Sequence, residues 1–530
     1  MLQTTRSFRG MVTTPHHLAS SAGQRVLQDG GNAIEAMIAA ASTIAVVYPH
    51  MNSLGGDNFW LIHEPGGEVI GIDACGAAAL GANVEYYENL GFGQIPSRGP
   101  SAALTCAGAV SGWDEALKIS KEKWGGQIDL ARLLEDAIFF AGEGIPVTKT
   151  QADNTKKKFS ELSEIAGFKE TFLINGQLPE EGTKFSQPRL TRTLQSLVKH
   201  GLKDFYKGRL AKKIADDLDK VGSPLSLEDL ERHLARRVQP LSLSVSGHKV
   251  FNMPPPTQGL ASLLLLGIFD RLGSVAPESS QYLHNLVEAT KIAFSVRDKH
   301  ISDPDYMAVD PKTFLTNESL DQLASFVNPM TASPWPQKSE IGDTVWLGVI
   351  DKEGRAVSFI QSIYWEFGSG VVLEETGINW QNRGTSFSLE KGHQNILFPT
   401  RRPFHTIQPA LALLSDGATM VYGTMGGDGQ PQTQAAVFSR YAMFDQPLQE
   451  AVTAPRWLLG RTWGSEINCL RIENRFDPQI ISALQNMGHD VKLIGGFDEV
   501  MGHAGALVLK NDGLFEGASD PRSDGSVAAF

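Results

Sequence analysis

Cysteine and long apolar runs are both scarce in this 530-residue sequence. Its three cysteines, Cys75, Cys106 and Cys469, are too few for a disulfide framework. The absence of a Cys-x-x-Cys pair disfavours a zinc ribbon or a thioredoxin-like protein. No run of about 18 apolar residues occurs, which is the length that a transmembrane helix needs, and the first residues lack the apolar core of a signal peptide. We therefore expect a cytoplasmic protein without membrane spans.

An excess of positive charge is also missing. Lys and Arg number 47 against 59 Asp and Glu, which gives a formal net charge of -12. Nucleic acids and anionic membranes are bound through basic patches, so we expect neither as a partner. The hydrophobic content of 42% is close to the globular average and excludes a chain that is disordered throughout. At about 150 residues per domain the length suggests three or four domains, although a large α/β layered domain can exceed that size.

The signatures of several enzyme classes are absent. The sequence contains no Gly-x-Ser-x-Gly nucleophile elbow, no His-Glu-x-x-His zinc motif and no Walker loop. The run Gly-Gly-Asp-Gly at 426–429 stands between a predicted strand and a predicted helix, but it is not the Gly-x-Gly-x-x-Gly of dinucleotide-binding proteins. A nucleotide-binding protein is therefore an alternative that rests on this run alone.

Apolar periodicity predicts a mixture of helices and strands. Helical spacing covers 16–47, with a break at an Asp-Gly-Gly run, and again 189–220. Alternation over 344–364 predicts a β-hairpin. The proline-rich segment 302–343 is predicted to be irregular. A long irregular segment thus leads directly into a strand that begins at Thr344.

Thr344 allows two interpretations. A threonine at the start of a strand is most often only a good strand former. Alternatively, its hydroxyl attacks the carbonyl of Asp343, and hydrolysis of the resulting ester leaves Thr344 as a new N-terminus. A free α-amine has a pKa of about 7.7–8.0 and can take the hydroxyl proton, which activates an otherwise weak nucleophile. The residues alone leave both interpretations open.

Several separate stretches, spread from the N-terminal helices to the predicted hairpin, resemble the gamma-glutamyltransferase (gamma-glutamyltranspeptidase) family of N-terminal nucleophile hydrolases. They are 30–36 (Gly-Gly-Asn-Ala-Ile-Glu-Ala), 49–56 (with Pro-His and Gly-Gly at its ends), 108–113, 205–208, 253–256 (Met-Pro-Pro-Pro), Arg297 with 303–305, and 343–354. The last stretch is similar to the processing site and first hairpin of the family. The order of the matches along the chain makes a chance resemblance improbable.

The resemblance implies an α/β fold, a four-layer αββα sandwich, and self-cleavage between Asp343 and Thr344. Residues 1–343 would form the large subunit and 344–530 the small one. The two fragments would stay together as a heterodimer in one composite catalytic domain, with a dimer of heterodimers as an open possibility. No metal and no organic cofactor is implied.

The resemblance also implies catalytic roles. Thr344 matches the nucleophile, and Ser362 stands where the family has a threonine that hydrogen-bonds the nucleophile. Gly426 and Gly427 match the glycine pair whose backbone N–H groups form the oxyanion hole, where the lack of a side chain lets substrate approach. Without the resemblance, this pair would be interpreted as a plain turn between a strand and a helix.

The positions at which the family holds its glutamyl substrate differ in this sequence. Where transpeptidases have Arg, Asn, Gln, Asp and a Ser-Ser pair, the chain has Cys75, Tyr364, Arg383, Ser386, His405 and Thr406. A buried ammonium group without an acidic partner is costly to desolvate. The chain therefore keeps the chemistry of the family but is not expected to transfer gamma-glutamyl groups.

A short anionic amide fits these positions better. Bulky Tyr364 indicates a small pocket, the guanidinium of Arg383 matches a carboxylate, and His405 adds a donor. The pattern is most similar to the branch of the family that hydrolyses oxamate to oxalate and ammonia, which implies a cytoplasmic catabolic enzyme of purine breakdown. Thr344 would form the acyl-enzyme.

Other interpretations stay open. Arg383 is equally interpreted as a structural arginine and His405 as a core histidine, while Arg401-Arg402 is either an alternative anion site or a solvated pair. The chain could instead be a gamma-glutamyl hydrolase or an acylase with an altered pocket. A family member that is never cleaved and acts as a binding or scaffold protein is a further alternative.

Overall fold

The computed structural model describes residues 2–335, 343–460 and 469–530, with residue 343 described by its backbone alone. The strands, in chain order, are β1 (Thr5–Ser7), β2 (Gly10–Thr14), β3 (Asp57–His63), β4 (Ile70–Ala74), β5 (Ile145–Pro146), β6 (Lys184–Phe185), β7 (Arg236–Val238), β8 (Leu241–Val245), β9 (His248–Asn252), β10 (Asp343–Asp351), β11 (Ala356–Tyr364), β12 (Ala410–Leu413), β13 (Thr419–Gly423), β14 (Trp457–Leu459), β15 (Leu470–Glu473), β16 (Val491–Ile494), β17 (Gly505–Leu509), β18 (Phe515–Ser519) and β19 (Ser526–Ala529).

The α-helices, in chain order, are α1 (His17–Gln28), α2 (Ala33–Val47), α3 (Val84–Asn89), α4 (Ala109–Trp124), α5 (Leu130–Glu143), α6 (Lys149–Leu162), α7 (Phe168–Phe172), α8 (Pro188–His200), α9 (Asp204–Lys207), α10 (Arg209–Val221), α11 (Leu227–Arg232), α12 (Gly259–Arg271), α13 (Ser280–His300), α14 (Asn317–Ala324), α15 (Gly429–Phe438), α16 (Leu448–Thr453) and α17 (Pro478–Asn486). Short 3-10 turns are Pro100–Ala102, Pro304–Tyr306, Pro311–Leu315, Arg383–Ser386 and Glu499–Met501, and a π-helical turn spans Ser439–Met443. Among these described residues no helix is both long and apolar enough to cross a membrane.

Two large antiparallel sheets lie at the centre of the part of the chain that the structure describes. One has the strand order β19-β2-β10-β11-β3-β4-β7 and the other the order β1-β18-β17-β13-β12-β9-β8. Their inner faces pack together through apolar side chains that include Met11, Phe59, Leu61, Trp346, Leu411, Val421 and Leu507. Strand alternation places one face of each sheet in this shared layer and leaves the other face for helices.

Trp346 shows how closely the sheets approach. A Cβ atom at Gly423 would lie 2.2 Å from its ring, and one at Gly505 would lie 2.6 Å from it. Both distances are far below van der Waals contact, so only glycine fits opposite this indole. The glycines at these two strand positions therefore serve the packing of the two sheets.

Helices cover the two outer faces. The helix α2 is buried along its whole length and packs on β10 and β11, while α12 packs on β8 and β9. A helix that is apolar on all sides must be covered on all sides, and α1 and α5 pack on the side of α2 that faces away from the sheet. The helix α2 begins at a capping box, in which the Asn32 side chain accepts the Glu35 backbone N–H and the Glu35 carboxylate accepts the Asn32 backbone N–H. The arrangement is a four-layer αββα sandwich, which confirms the predicted fold.

Two predicted elements need correction. The single helix predicted over 189–220 is three helices, because Gly201 has φ +84° and Gly208 is extended, and both interrupt the helical hydrogen bonds. Of the segment 302–343, residues 336–342 lie outside the described residues. The rest is not irregular throughout, since it contains α14, which begins where the Thr316 hydroxyl accepts the Ser319 N–H. The predicted hairpin over 344–364 is confirmed as β10 and β11.

Candidate active site

The β-hairpin brings the predicted nucleophile beside its predicted partner. Thr344 is fully buried, and its Oγ1 donates to Ser362 Oγ across the hairpin at 3.3 Å. Ser362 Oγ in turn accepts the backbone N–H of Tyr364 at 2.8 Å. Asp343 pairs with Tyr364 and Val345 with Gln361, so one residue of β10 opposes two of β11. This bulge is where the hydroxyls of Thr344 and Ser362 meet.

The turn before β3 supports Ser362 from behind. A Cβ atom at Gly56 would lie 2.2 Å from the Ser362 carbonyl oxygen, so a larger residue cannot stand there. The Gly56 carbonyl accepts the N–H groups of Gly108 and Ala109, both at 2.9 Å. Two of the stretches that carry the family resemblance therefore meet directly behind the predicted nucleophile.

The predicted oxyanion-hole glycines lie between β13 and α15. Gly426 has φ +115° and Gly427 φ +53°, a backbone region that residues with a side chain rarely adopt. Gln258 holds this loop, because its Nε2 donates to the Gly427 carbonyl at 2.8 Å. The N–H groups at the start of α15 carry positive partial charge, which suits a developing oxyanion.

A buried arginine fixes the same loop. Arg297 Nη1 donates to Gln258 Oε1 at 2.8 Å and to Asp428 Oδ1 at 2.7 Å. Burial acts to lower the pKa of Arg297, but the carboxylates of Asp428 and Asp298 outweigh it, and the pKa is raised. The guanidinium is therefore a permanent positive charge that locks Gln258 and Asp428 in place.

Gln430, on the first turn of α15, also reaches the nucleophile. Its Nε2 donates to Thr344 Oγ1 at 3.5 Å, and its Oε1 accepts the Gln408 backbone N–H at 3.2 Å. The second bond settles the orientation of the amide, so that the NH2 group faces Thr344. This contact joins the hairpin to the loop of Gly426 and Gly427.

Three of the predicted substrate-binding residues lie together. The guanidinium carbon of Arg383 lies 3.7 Å from the centroid of the Tyr364 ring, and Arg383 Nη1 donates to Thr406 Oγ1 at 3.4 Å. Tyr364 has φ +82°, a strained conformation for a residue with a side chain. This conformation lies at the end of β11, where the Tyr364 ring stacks on Arg383 and its N–H bonds Ser362.

Ser386 has a structural contact. Its Oγ lies 3.1 Å from the Arg383 carbonyl and 3.0 Å from the Phe404 carbonyl. The hydroxyl thus ties the turn that carries Arg383 to the segment that carries Thr406.

His405 has a protein partner at each ring nitrogen. Its Nε2 lies 3.1 Å from Asp57 Oδ2, and its Nδ1 lies 2.8 Å from the Pro403 carbonyl. Burial and the positive charge of Arg383 lower the pKa of His405, although Asp57 acts in the opposite direction. These contacts favour the interpretation as a core histidine that positions its neighbours.

Two predicted positions remain, Arg402 and Cys75, which line the same pocket. Arg402 is buried and forms ion pairs with Asp73 at 2.9 Å and Asp303 at 2.7 Å, so it is neither solvated nor left uncompensated. Cys75 lines a pocket of about 370 Å³ together with Arg402 and Cys106. Burial and the nearby Asp73 raise the pKa of the Cys75 thiol, which keeps it neutral.

The sequence interpretation did not single out Asp57, Gln258 or Gln430. Asp57 follows the Gly-Gly turn, Gln258 follows the Met-Pro-Pro-Pro stretch, and Gln430 follows the glycine run, so each stands beside a motif that was noticed. Their partners are far away in the chain, and nothing in the local pattern indicates them.

Comparison with known proteins gives three results. A family model described as gamma-glutamyltranspeptidase matches residues 19–530. The chain is 54% identical to an oxamate amidohydrolase proenzyme from Klebsiella pneumoniae, over 99% of both chains. It is 39% identical to a glutathione hydrolase-like proenzyme from Bacillus subtilis, over 98% of both chains.

Solved structures give a similar result. The fold matches a cephalosporin acylase from Bacillus halodurans with a TM-score of 0.92 and 32% identity, covering 100% of this chain and 97% of that one. A gamma-glutamyltranspeptidase from Helicobacter pylori matches with a TM-score of 0.56 and 28% identity, over 60% of this chain and 92% of that one.

Proposed function

Because this chain belongs to the gamma-glutamyltranspeptidase family and is a hydrolase of the N-terminal nucleophile type, we propose that it is a self-cleaving amidohydrolase that converts oxamate to oxalate and ammonia. The observation that carries the proposal is the 54% identity, over 99% of both chains, to a proenzyme named for that reaction. The cytoplasmic location and the role in purine breakdown stay predictions.

Self-cleavage would begin at Thr344. Its Oγ attacks the carbonyl carbon of Asp343, the C–N bond breaks, and the released nitrogen takes up the hydroxyl proton and becomes the α-amine of Thr344. Water then hydrolyses the ester, which leaves a carboxylate at residue 343 and a free hydroxyl on Thr344. Burial of Thr344 and its contacts with Ser362 and Gln430 support this assignment, because they restrict the rotamer of the attacking group. Fragments 1–343 and 344–530 remain together as a heterodimer.

Turnover uses the same groups. The α-amine of Thr344 takes the hydroxyl proton while Oγ attacks the amide carbonyl of oxamate. The N–H groups of Gly426 and Gly427 stabilise the oxyanion, and ammonia leaves with the proton from the amine. Water, activated by the amine, then attacks the oxalyl ester, which releases oxalate and restores Thr344.

Arg383 is the proposed carboxylate ligand. Its guanidinium stacks on the Tyr364 ring and donates to Thr406, and the backbone N–H of Tyr364 donates to Ser362 Oγ, the hydroxyl that contacts Thr344. A hydrogen-bonded ion pair in a buried site is strong and directional. Ser386 and Cys75 offer no carboxylate or guanidinium for the two ends of a glutamyl group, which disfavours glutathione as the substrate.

Two measurements on the purified protein test the proposal. Intact mass spectrometry over several days is expected to give fragments split between Asp343 and Thr344. The processed protein is then expected to release ammonia from oxamate, while glutathione tested in parallel releases no glutamate. Glutamate from glutathione without ammonia from oxamate would indicate a gamma-glutamyl hydrolase instead. A chain that stays intact and inactive would favour a binding protein.

A further inference from the structure

Three buried side chains of metal-ligand type meet on the side of the molecule where α13 packs against α17. His284 and Glu288 are one helical turn apart on α13, and His489 follows α17. Residues four apart on a helix lie on the same face. One possible ligand atom from each side chain falls within 4.8 Å of the other two.

The two imidazoles already face each other. His284 Nδ1 lies 2.9 Å from His489 Nε2, and His284 Nε2 lies 2.8 Å from the Asn328 carbonyl. Because a carbonyl only accepts, Nε2 of His284 carries the proton and Nδ1 has the lone pair. A histidine whose second nitrogen donates to a carbonyl is oriented as metal-ligating histidines usually are.

A lysine stands at the same place. Lys291 Nζ donates to Glu288 Oε1 and to the Ser333 carbonyl, both at 2.6 Å, and the Ser333 N–H donates to Glu288 Oε2 at 3.0 Å. Each carboxylate oxygen keeps a further lone pair. The ammonium of Lys291 therefore already neutralises the Glu288 carboxylate, and a metal ion bound by Glu288 would compete with it.

We propose that His284, Glu288 and His489 bind a divalent transition-metal ion, with Zn²⁺ as the best match. Two imidazoles and one carboxylate are a common three-ligand set for zinc, which leaves a fourth position for water. With Zn–N distances of about 2.0–2.1 Å, tetrahedral ligation needs the facing nitrogens about 3.3 Å apart, a small change from 2.9 Å. His489 would move its proton from Nε2 to Nδ1, or release it.

The site would join the two halves of the chain. His284 and Glu288 belong to 1–343, whereas His489 belongs to 344–530. A bound ion would therefore tie together the two fragments if cleavage occurs as proposed. This consequence rests on the proposed function, but the binding itself does not, since the same residues are present in an uncleaved chain.

The test is metal binding by the chelator-treated protein. Calorimetric titration with Zn²⁺ is expected to show one equivalent bound per chain, and Co²⁺ is expected to give the visible absorption of a tetrahedral site. His489→Ala is expected to weaken Zn²⁺ binding about 100-fold or more, since even residues behind the ligands contribute 10–100-fold. The exposed His200→Ala is the control that should change nothing.

Lys291→Gln separates this proposal from a purely structural role. If the Lys291 ammonium competes with the metal ion for Glu288, its removal is expected to tighten Zn²⁺ binding. If the cluster only stabilises the fold, Lys291→Gln is expected to leave Zn²⁺ binding absent. Absence of Zn²⁺ binding by the wild-type chain, or binding that survives His489→Ala, would overturn the proposal. Circular dichroism of each variant identifies one that has failed to fold, and for such a variant His489→Gln replaces His489→Ala.

Discussion

The nucleophile region (Thr344, Ser362, Gly426 and Gly427) and the proposed substrate region (Tyr364, Arg383, Ser386, His405 and Thr406) are both buried. They differ in whether the backbone or the side chains determine what each region does. In the nucleophile region, the hairpin of β10 and β11 and the glycines after β13 match the family pattern, and backbone geometry does most of the positioning. In the proposed substrate region, Ser386 and His405 bond to other parts of the protein, which leaves Arg383 as the side chain that we assign to the substrate. The backbone would thus determine where the reaction occurs, whereas a single side chain would determine which substrate is bound.

Gln258 connects the two regions. Its Nε2 donates to the Thr406 carbonyl at 2.6 Å and to the Gly427 carbonyl at 2.8 Å, so a single amide touches the substrate side and the oxyanion loop. Arg297 orients this amide through its Oε1. A change at Gln258 is therefore expected to disturb both regions at once.

The largest effect is expected at the nucleophile. Thr344→Ala should abolish self-cleavage and lower amide hydrolysis by about 10⁴-fold or more, because the attacking oxygen is gone. Mass spectrometry and an ammonia assay measure the two losses. Thr344→Ser, which keeps a hydroxyl, is the matched control and should still be processed. A Thr344→Ala protein that is cleaved and active would refute the assignment.

A smaller effect, confined to the substrate side, is expected at Arg383. Arg383→Ala should still be cleaved, but kcat/KM for oxamate should fall about 100-fold, as expected for the loss of a charged hydrogen bond. Arg383→Lys should recover part of the loss, and the exposed Arg192→Ala should have no effect. Equal loss of cleavage and hydrolysis would show that Arg383 supports the fold rather than the substrate.

Substitution of Gln258, which contacts both regions, should change both kcat and KM. Gln258→Glu keeps the oxygen that accepts from Arg297 but removes the donor to the two carbonyls, so kcat should fall and KM should rise, each about tenfold. Steady-state kinetics separates the two parameters. A change in KM alone would mean that the oxyanion loop does not depend on this amide.

The hydroxyl partner of the nucleophile should matter less. Ser362→Ala removes the acceptor for Thr344 and for the Tyr364 N–H and should slow turnover about tenfold. Ser362→Thr, which restores the hydroxyl, should recover activity. Failure of the threonine variant in a protein that still folds would contradict the positioning role.

The last effect concerns stability in acid rather than activity and belongs to neither region. Burial lowers the pKa of His16 to about 3, and the neighbouring His17 adds to the shift. The unfolded chain therefore binds a proton below about pH 6.5 that the folded chain does not. His16 should cost about 1.4 kcal/mol of stability for each pH unit as the pH falls from 6.5 towards 3.

Unfolding of His16→Asn checks this effect. Asparagine also caps helices, so its side-chain oxygen can accept the hydrogen bond that the Leu18 N–H donates to His16 Nδ1, without a titrating group. The loss of stability below pH 6.5 should become less steep in His16→Asn and stay unchanged in the control His200→Asn. Identical slopes in all three proteins would contradict the prediction.

Local patterns were sufficient for the hairpin over 344–364, which the structure has as β10 and β11. They failed over 189–220, because helical periodicity continued across Gly201 and Gly208 while the backbone turned. They also missed α14, because the helix is short and the prolines on either side of it, Pro311 and Pro329, predict an irregular segment.

The sequence by itself determined the strand that begins at Thr344, the glycines that demand unusual backbone angles, and the family resemblance, because each of these depends on neighbouring residues. Only the tertiary structure decided that Gln430 faces Thr344, that Arg402 is neutralised by Asp73 and Asp303, and that His405 is bonded on both sides. Apart from Pro403, which is two residues from His405, those partners lie between 86 and 348 residues apart in the chain. Such contacts form only when the layers pack, since burial then requires each polar group to find a partner.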